Sequence, residues 1–309
     1  MTDTPPAKPI DTLPGKLAAV AGDIKLSHTV FAMPFALLAT FLAAGSADRL
    51  PGVSEFGLIV LCMFLARTVA MTVNRLADAG LDSSNPRTAG RALPSGRLDK
   101  RFVIVTTAIF SGVFIAAAGG FWLVRGNPWP MILSPLVLAY LAGYSYTKRF
   151  TWLCHVYLGT ALALSPIAAV IAIEPGYLGT SEPWLLAGMV ACWVGGFDVI
   201  YAMQDVEHDR SLGLYSMPAV LGVKRALWIS RLLHTLAAIC LLLLWHMSPL
   251  LGMVFLMAAV LTVAMLIFEH ALVWRSKTHH IHIVFLTVNG MISLMLGAVG
   301  IIEIVIAIK

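Results

Sequence analysis

Apolar residues run in blocks of roughly 20 along most of the chain, and the polar residues collect in the gaps between them. A block of that length crosses the roughly 30 Å hydrocarbon core of a bilayer when it coils as an α-helix. The blocks fall near 26–45, 56–82, 102–124, 128–146, 152–173, 184–208, 227–247, 249–273 and 281–308, which predicts an all-α membrane protein with nine transmembrane helices. The longest gap, 83–101, is too short for a soluble domain, so a single transmembrane domain over 1–309 is expected, with 1–24 as a cytoplasmic N-terminal segment.

Composition agrees with the pattern: 59% of the residues are hydrophobic and 12% charged, and the mean hydropathy is +0.86. A soluble globular domain does not reach such values. The first 24 residues are polar and contain prolines, without a short apolar stretch followed by a small-residue cleavage site, so no cleavable signal peptide is expected. Cys62, Cys154, Cys192 and Cys240 lie widely spaced inside apolar blocks, as small core residues rather than a disulfide or zinc framework.

Charge sets the expected orientation. The N-terminal segment and the loops after the second, fourth, sixth and eighth blocks are rich in Lys and Arg, whereas the opposite loops and the C-terminal tail carry Arg49, Arg125 and Lys309 only. The positive-inside rule then places the N-terminus in the cytoplasm and the C-terminus outside, in a bacterial cytoplasmic (inner) membrane. The net charge of +5 is thereby a property of the cytoplasmic face; it fits a membrane surface or an anionic substrate and calls for no nucleic acid.

Two acidic ladders interrupt this plan. Asn74, Asp78 and Asp82 end the second block at i, i+4 and i+8, and steps of four drift only about 40°, so the three side chains share one helical face about 12 Å long. The sixth block ends with Asp205 and Asp209, four apart, and Asp198 lies seven before Asp205, about 20° away in projection on a regular helix. Both ladders end on the same side of the membrane. An aspartate at membrane depth costs about 2.5–3.5 kcal/mol at the helix centre on insertion scales, so compensation is required. Oxygen-only donors suit hard divalent cations, and Mg²⁺ in particular is held by a few carboxylates together with substrate phosphates. Arg87 and Arg91 in "NPRTAGR" and Lys148 and Arg149 in "YSYTKRF" supply cations on that same side, suited to phosphate oxygens. The combination spells a metal-diphosphate site.

Plainer roles compete with these. Carboxylates at a membrane helix end also serve as interfacial residues paired to nearby arginines, and Arg87, Arg91, Lys148 and Arg149 also serve as topology anchors. Two ladders at same-side ends, extended inward by Asn74 and Asp198, exceed the first of these roles. His279, His280 and His282 lack Cys or Asp at ligand spacing and are expected in a solvated loop. Phe31, Phe35, Tyr140, Tyr144 and Tyr146 are candidate cavity walls with packing as their ordinary role.

Arg67, seven before Asn74, projects from the same face about 10 Å deeper. Two roles stay open for it: an ion pair with a carboxylate such as Asp198, or recognition of a substrate carboxylate. Asp198 is too deep to ligate the same metal as Asp205 and is assigned to orienting or deprotonating an acceptor.

"NRLADAGLD" and "DVEHD" have the forms NxxxDxxxD and DxxxD, and together with "KLSHTVFAMPFALLA", "NPRTAGRALPSG", "YSYTKRFTWLCHVYLG" and "GFDVIYAMQDVEHDRSLGLYSMPAVLG" they resemble the UbiA superfamily of intramembrane prenyltransferases over nearly all of the chain. They look most like the bacterial 4-hydroxybenzoate polyprenyltransferases, or relatives that prenylate 1,4-dihydroxy-6-naphthoate in the futalosine route to menaquinone. The resemblance implies nine helices around a central cavity open laterally to lipid. It also implies two Mg²⁺ ions bridging a polyprenyl diphosphate to the acidic motifs, Asn74, Asp78 and Asp82 serving one ion and Asp205 and Asp209 the other. Lys148 and Arg149 match the family's diphosphate-contacting pair. A transporter would spread its acidic residues across the bilayer depth, and a CDP-alcohol phosphotransferase begins its motif with an Asp-Gly dipeptide that this chain lacks.

Overall fold

Prolines mark where several helices begin. The computed structural model describes residues 9–24, 31–276 and 287–308, and in it Pro14, Pro34, Pro130 and Pro183 each sit in the first turn of a helix, where their missing N–H would have no intrahelical partner. The described helices are α1 (Leu13–Asp23), α2 (Met33–Gly45), α3 (Val53–Ser84), α4 (Lys100–Arg125), α5 (Trp129–Thr147), α6 (Cys154–Ile173), α7 (Glu182–Ala202), α8 (Val206–Ser211), α9 (Met217–Leu221), α10 (Val223–Met247), α11 (Met253–Ser276) and α12 (Asn289–Ala307). No strand is present among the described residues.

Seven of these are long and apolar enough to cross a membrane: α3, α4, α6, α7 with its continuation to Ser211, α10, α11 and α12. The chain is therefore an integral membrane protein. Two of the expected spans fall outside that group. α2 has 13 residues, about 20 Å at 1.5 Å per residue: it starts after Ala32 with Pro34 in its first turn, inside the expected span, whose residues 26–30 lie outside the described residues. α5 contains Pro135 and is diluted by Tyr140, Tyr144, Ser145 and Tyr146. The histidine tract at 279, 280 and 282 also lies outside the described residues.

Each long helix packs on the next in chain order, and α12 returns to α2, which closes a ring with α7 held between α6 and α10. Lipid supplies no hydrophobic drive for helices to associate, so close backbone approach and polar contacts hold them. A Cβ on Gly159 of α6 would run into the Ala191 carbonyl of α7, and one on Gly297 of α12 into Pro34 of α2. Deep in the bundle, Trp193 Nε1 donates to Asn289 Oδ1 at 2.8 Å, and Asn289 Nδ2 donates to Glu269 Oε1 at 3.3 Å, tying α7, α12 and α11. Around Trp193 pack Phe31, Phe35 and Phe197, with ring centroids 5.1–6.5 Å from it.

The sixth block departs from expectation. Its helix stops at Ala202, a 3-10 turn spans Met203–Asp205, and α8 follows. Gln204 Nε2 donates to the Tyr201 carbonyl at 3.3 Å, a side-chain bond that competes with the regular i to i+4 ladder. Asp198 and Asp205 therefore do not share one unbroken helical face; the bundle, rather than the 3.6-residue period, brings them together.

Candidate active site

The ends of α3, α5 and α7 meet at one end of the ring, and between them lies a cavity of about 320 Å³. It is lined by Asn74, Asp78 and Asp82 from α3, by Asp198 from α7, and by Asp205 and Asp209 just beyond it. Arg67, Arg87, Arg91 and Lys148 line it as well. Arg149 does not; it stands behind Asp78, donating to the Ala77 carbonyl at 2.6 Å and reaching Asp78 Oδ1 at 3.4 Å.

Asp78, Asp82 and Asp205 are already ion-paired. Asp78 Oδ2 accepts from Lys148 Nζ at 2.7 Å and from Asn74 Nδ2 at 3.3 Å. Asp82 Oδ2 lies 2.6 Å from Arg91 Nη1 and 3.7 Å from Arg75 Nη1. Arg87 grips Asp205 with two nitrogens, Nη2 to Oδ2 at 2.6 Å and Nε to Oδ1 at 3.3 Å, the planar fork that only arginine offers. Because Arg87 follows the first ladder and Asp205 belongs to the second, this pair joins the two across the cavity. Burial works against the charge on Arg87, but the adjacent Asp205 carboxylate holds its pKa above the ordinary value.

Deeper in the cavity the lining changes character: Phe31, Met71, Leu158, Leu162, Val194 and Phe197 make an apolar wall, with Tyr144 and Tyr201 nearer the charges. Of the aromatic candidates, Phe31 and Tyr144 line the cavity. Phe35 is buried in the core, Tyr140 stacks on Tyr157 at 4.4 Å, and Tyr146 is exposed beneath Arg149.

Sequence reasoning missed two members. Arg75, one residue after Asn74, lines the cavity and is 8% exposed. His155, at the start of α6, places Nδ1 2.6 Å from Asp198 Oδ2. The Met217 backbone N–H donates to its Nε2 at 3.2 Å, so that nitrogen carries the lone pair and the ring proton sits on Nδ1, pointed at Asp198. Both lie inside the quoted motifs "NRLADAGLD" and "WLCHVYLG", yet no spacing within one helix reveals a partner on another. Arg67 lines the cavity as expected, while the carboxylate suggested as its partner is held by His155.

The donor set fits a hard cation held partly by substrate. No group of three His, Cys, Asp or Glu side chains stands ready to enclose a metal among the described residues; Mg²⁺ takes one or two protein carboxylates and completes its octahedron with water and phosphate oxygens, which is what paired aspartates on opposite walls offer.

The UbiA prenyltransferase family pattern matches residues 32–295. The chain belongs to that family. It is 32% identical to a 4-hydroxybenzoate octaprenyltransferase of Ectopseudomonas mendocina over 203 residues, a match that spans 64% of this chain and 64% of that relative. Among solved structures it is similar to the apo structure of a UbiA homolog from Aeropyrum pernix K1, with 31% identity, 90% of this chain and 98% of the other covered, and a TM-score of 0.79. The fold is shared as well with a UbiA homolog from Archaeoglobus fulgidus bound to GPP and Mg²⁺, at 18% identity over 93% of this chain and 99% of that one, with a TM-score of 0.70.

Proposed function

We propose that this protein transfers a polyprenyl group from a polyprenyl diphosphate to an aromatic acid, 4-hydroxybenzoate, in quinone biosynthesis, with its charged end at the cytoplasmic face of the bacterial inner membrane, its N-terminus cytoplasmic and its C-terminus outside. The observation that carries this is the convergence of both acidic ladders and their cations on one cavity whose inner wall is apolar and aromatic. Such a cavity matches an amphipathic substrate, charged at the head and isoprenoid in the tail. The nine-helix bundle of the UbiA type belongs to the same proposal. So does a pair of Mg²⁺ ions, supported by the name of the Archaeoglobus fulgidus structure; the acceptor is supported by the name of the Ectopseudomonas mendocina relative.

Asn74, Asp78 and Asp82 would hold one Mg²⁺ and Asp205 and Asp209 the other, the metals supplying charge neutralisation of the diphosphate. Arg87, Arg91 and Lys148 each sit on a carboxylate here and would be free to turn to phosphate oxygens if those carboxylates held metal, with Arg149 behind them. Cations placed where negative charge accumulates on the leaving diphosphate lower the barrier to breaking the allylic C–O bond. The apolar wall keeps water away from the electron-poor allylic carbon until a ring carbon of the acceptor attacks it, and that carbon then loses its proton to restore the aromatic ring. Asp198, fixed by His155, faces the phenol and orients it or takes its proton, and Arg67 receives the acceptor's carboxylate.

Membranes containing the protein, incubated with radiolabelled polyprenyl diphosphate, Mg²⁺ and each acceptor in turn, test the proposal. A labelled product with 4-hydroxybenzoate that disappears in excess chelator is expected. Product with 1,4-dihydroxy-6-naphthoate alone reassigns the acceptor, and no product with any acceptor overturns prenyl transfer. Replacing the acid by its neutral amide isolates Arg67: wild type loses acceptor affinity on the swap, whereas Arg67→Ala is nearly indifferent to it. An Arg67→Ala variant that keeps the wild-type preference for acid removes the carboxylate role.

A further inference from the structure

α1 ends on an acid. Asp23 is its last residue, at the end where the helix dipole disfavours negative charge, so its position there needs another cause. Its carboxylate Oδ2 accepts the backbone N–H of Ala92 at 3.0 Å, and its main-chain oxygen accepts from Arg75 Nε at 3.3 Å. These two contacts lead to the same atom. Arg91, the neighbour of Ala92, reaches Asp82 Oδ2 at 2.6 Å, and Arg75 approaches that oxygen at 3.7 Å.

Packing makes the loop after α3 and the end of α1 one unit. Ala92 and Leu98, 1% and 4% exposed, bury against Val20 and Ile24 of the N-terminal segment, and Ile10 N donates to the Arg97 carbonyl at 3.1 Å. Apolar burial holds the loop near α1 but is not directional. The Asp23–Ala92 hydrogen bond fixes its register, and so decides where the Arg91 guanidinium falls.

We propose that Asp23 is a positioning residue: by accepting the Ala92 N–H and offering its carbonyl to Arg75, it holds Arg91 and Arg75 on Asp82, the outermost carboxylate of the first ladder, and so readies that corner of the cavity for the diphosphate of the donor. The inference rests on the prenyl-transfer proposal for its kinetic consequence only. The clamp itself is a structural property of the chain.

Two variants and two readouts test it on the purified full-length protein. Asp23→Ala removes the acceptor oxygen; Asp23→Asn keeps one that still accepts from Ala92. Asp23→Ser, whose oxygen is too close to the backbone to reach Ala92, replaces the alanine variant if that does not accumulate. Limited trypsin cleavage after Arg87, Arg91 and Arg97 reads loop attachment without any substrate. Loss of one hydrogen bond should accelerate cleavage in Asp23→Ala about fivefold and raise the donor KM by a similar factor, with the acceptor KM unchanged and Asp23→Asn near wild type in both readouts. Wild-type cleavage in Asp23→Ala, or an equal change in Asp23→Asn, overturns the clamp. Faster cleavage with an unchanged donor KM, or an acceptor KM that rises as much as the donor's, overturns its role at the diphosphate corner. If the wild-type protein transfers no prenyl group, the function proposal fails, and the cleavage series still decides whether Asp23 holds the loop.

Discussion

Carboxylates cluster at both ends of this bundle, and the two clusters are built differently. At the far end, Glu55 is 3% exposed; its oxygens accept from Arg49 at 2.9 and 3.1 Å and from the Gly52 N–H at 2.5 Å, with Arg125 Nε at 3.1 Å. Glu303 likewise takes the N–H groups of Gly252, Val254 and Phe255 at 2.7–3.1 Å, capping the start of α11 from α12. The two arginines are tied down further by backbone carbonyls, Arg49 by those of Leu50 and Ile173 at 3.4 and 3.3 Å and Arg125 by that of Ile173 at 3.3 Å. At the cavity end, Asp78 and Asp205 are held by Lys148 and Arg87, and all four line the same cavity, where the cations can turn to another anion. A carboxylate closed off by cations that are also tied to the backbone is structural; one shared with a long cation that lines the same cavity is exchangeable, and exchange is what binding a metal-diphosphate requires.

Removing an exchangeable carboxylate should produce the largest effect. Asp78→Ala and Asp205→Ala are expected to lower kcat about 10²- to 10³-fold, the scale for losing one electrostatic element at a leaving group, while the protein inserts and purifies normally. Wild-type turnover in either variant, assayed with labelled donor, would place the ladders alongside Glu55 as structural.

Next in size is the cation pair. Neutralising Lys148 and Arg149 together removes one charge-assisted hydrogen bond to the diphosphate, that of Lys148, about 1.5–3 kcal/mol, along with the Arg149 charge behind Asp78, and should raise the donor's Kd at least tenfold while the acceptor's stays put. Donor titration of the double variant checks this, and unchanged donor affinity would return the pair to membrane anchoring.

The closed clusters should behave in the opposite sense. Glu55→Ala takes the carboxylate from two arginines and leaves the Gly52 N–H without its acceptor; it is expected to cost about 1–3 kcal/mol of stability, the scale of a buried polar group left unpaired, read by thermal unfolding in detergent, while kcat of the folded fraction should remain within about twofold. Glu303→Gln keeps the shape but removes the charge at a helix start, an effect of about 1 kcal/mol or less, again without a kinetic change. If either substitution changed kcat or donor Kd more than stability, the distinction between the two ends would fail.

Much of the site was legible before any fold was known. Asn74, Asp78, Asp82, Asp205 and Asp209 stand out because carboxylates at four-residue spacing share a helical face and because charge at the end of an apolar block demands a reason. Asp198 and Arg67 stood out as charges set further into apolar blocks, and both line the cavity. Arg149 shows the limit: adjacent to Lys148 in the turn that follows α5, it points behind Asp78, and past the end of a helix the 3.6-residue period no longer says which way a side chain faces.

What the sequence by itself determined is whatever follows from local periodicity: the membrane class, the places of the long apolar helices, and the two acidic ladders at their ends. Tertiary structure alone decided which charges meet. Arg87 reaches Asp205 across 118 positions of chain, Arg75 finds the Asp23 carbonyl across 52, and His155 receives Asp198 across 43. Those meetings depend on how the ring of helices closes and on the 3-10 turn at Met203–Asp205, and hydrophobic periodicity carries no information about them, since it records which face of a helix avoids lipid or water but not which helix it turns toward.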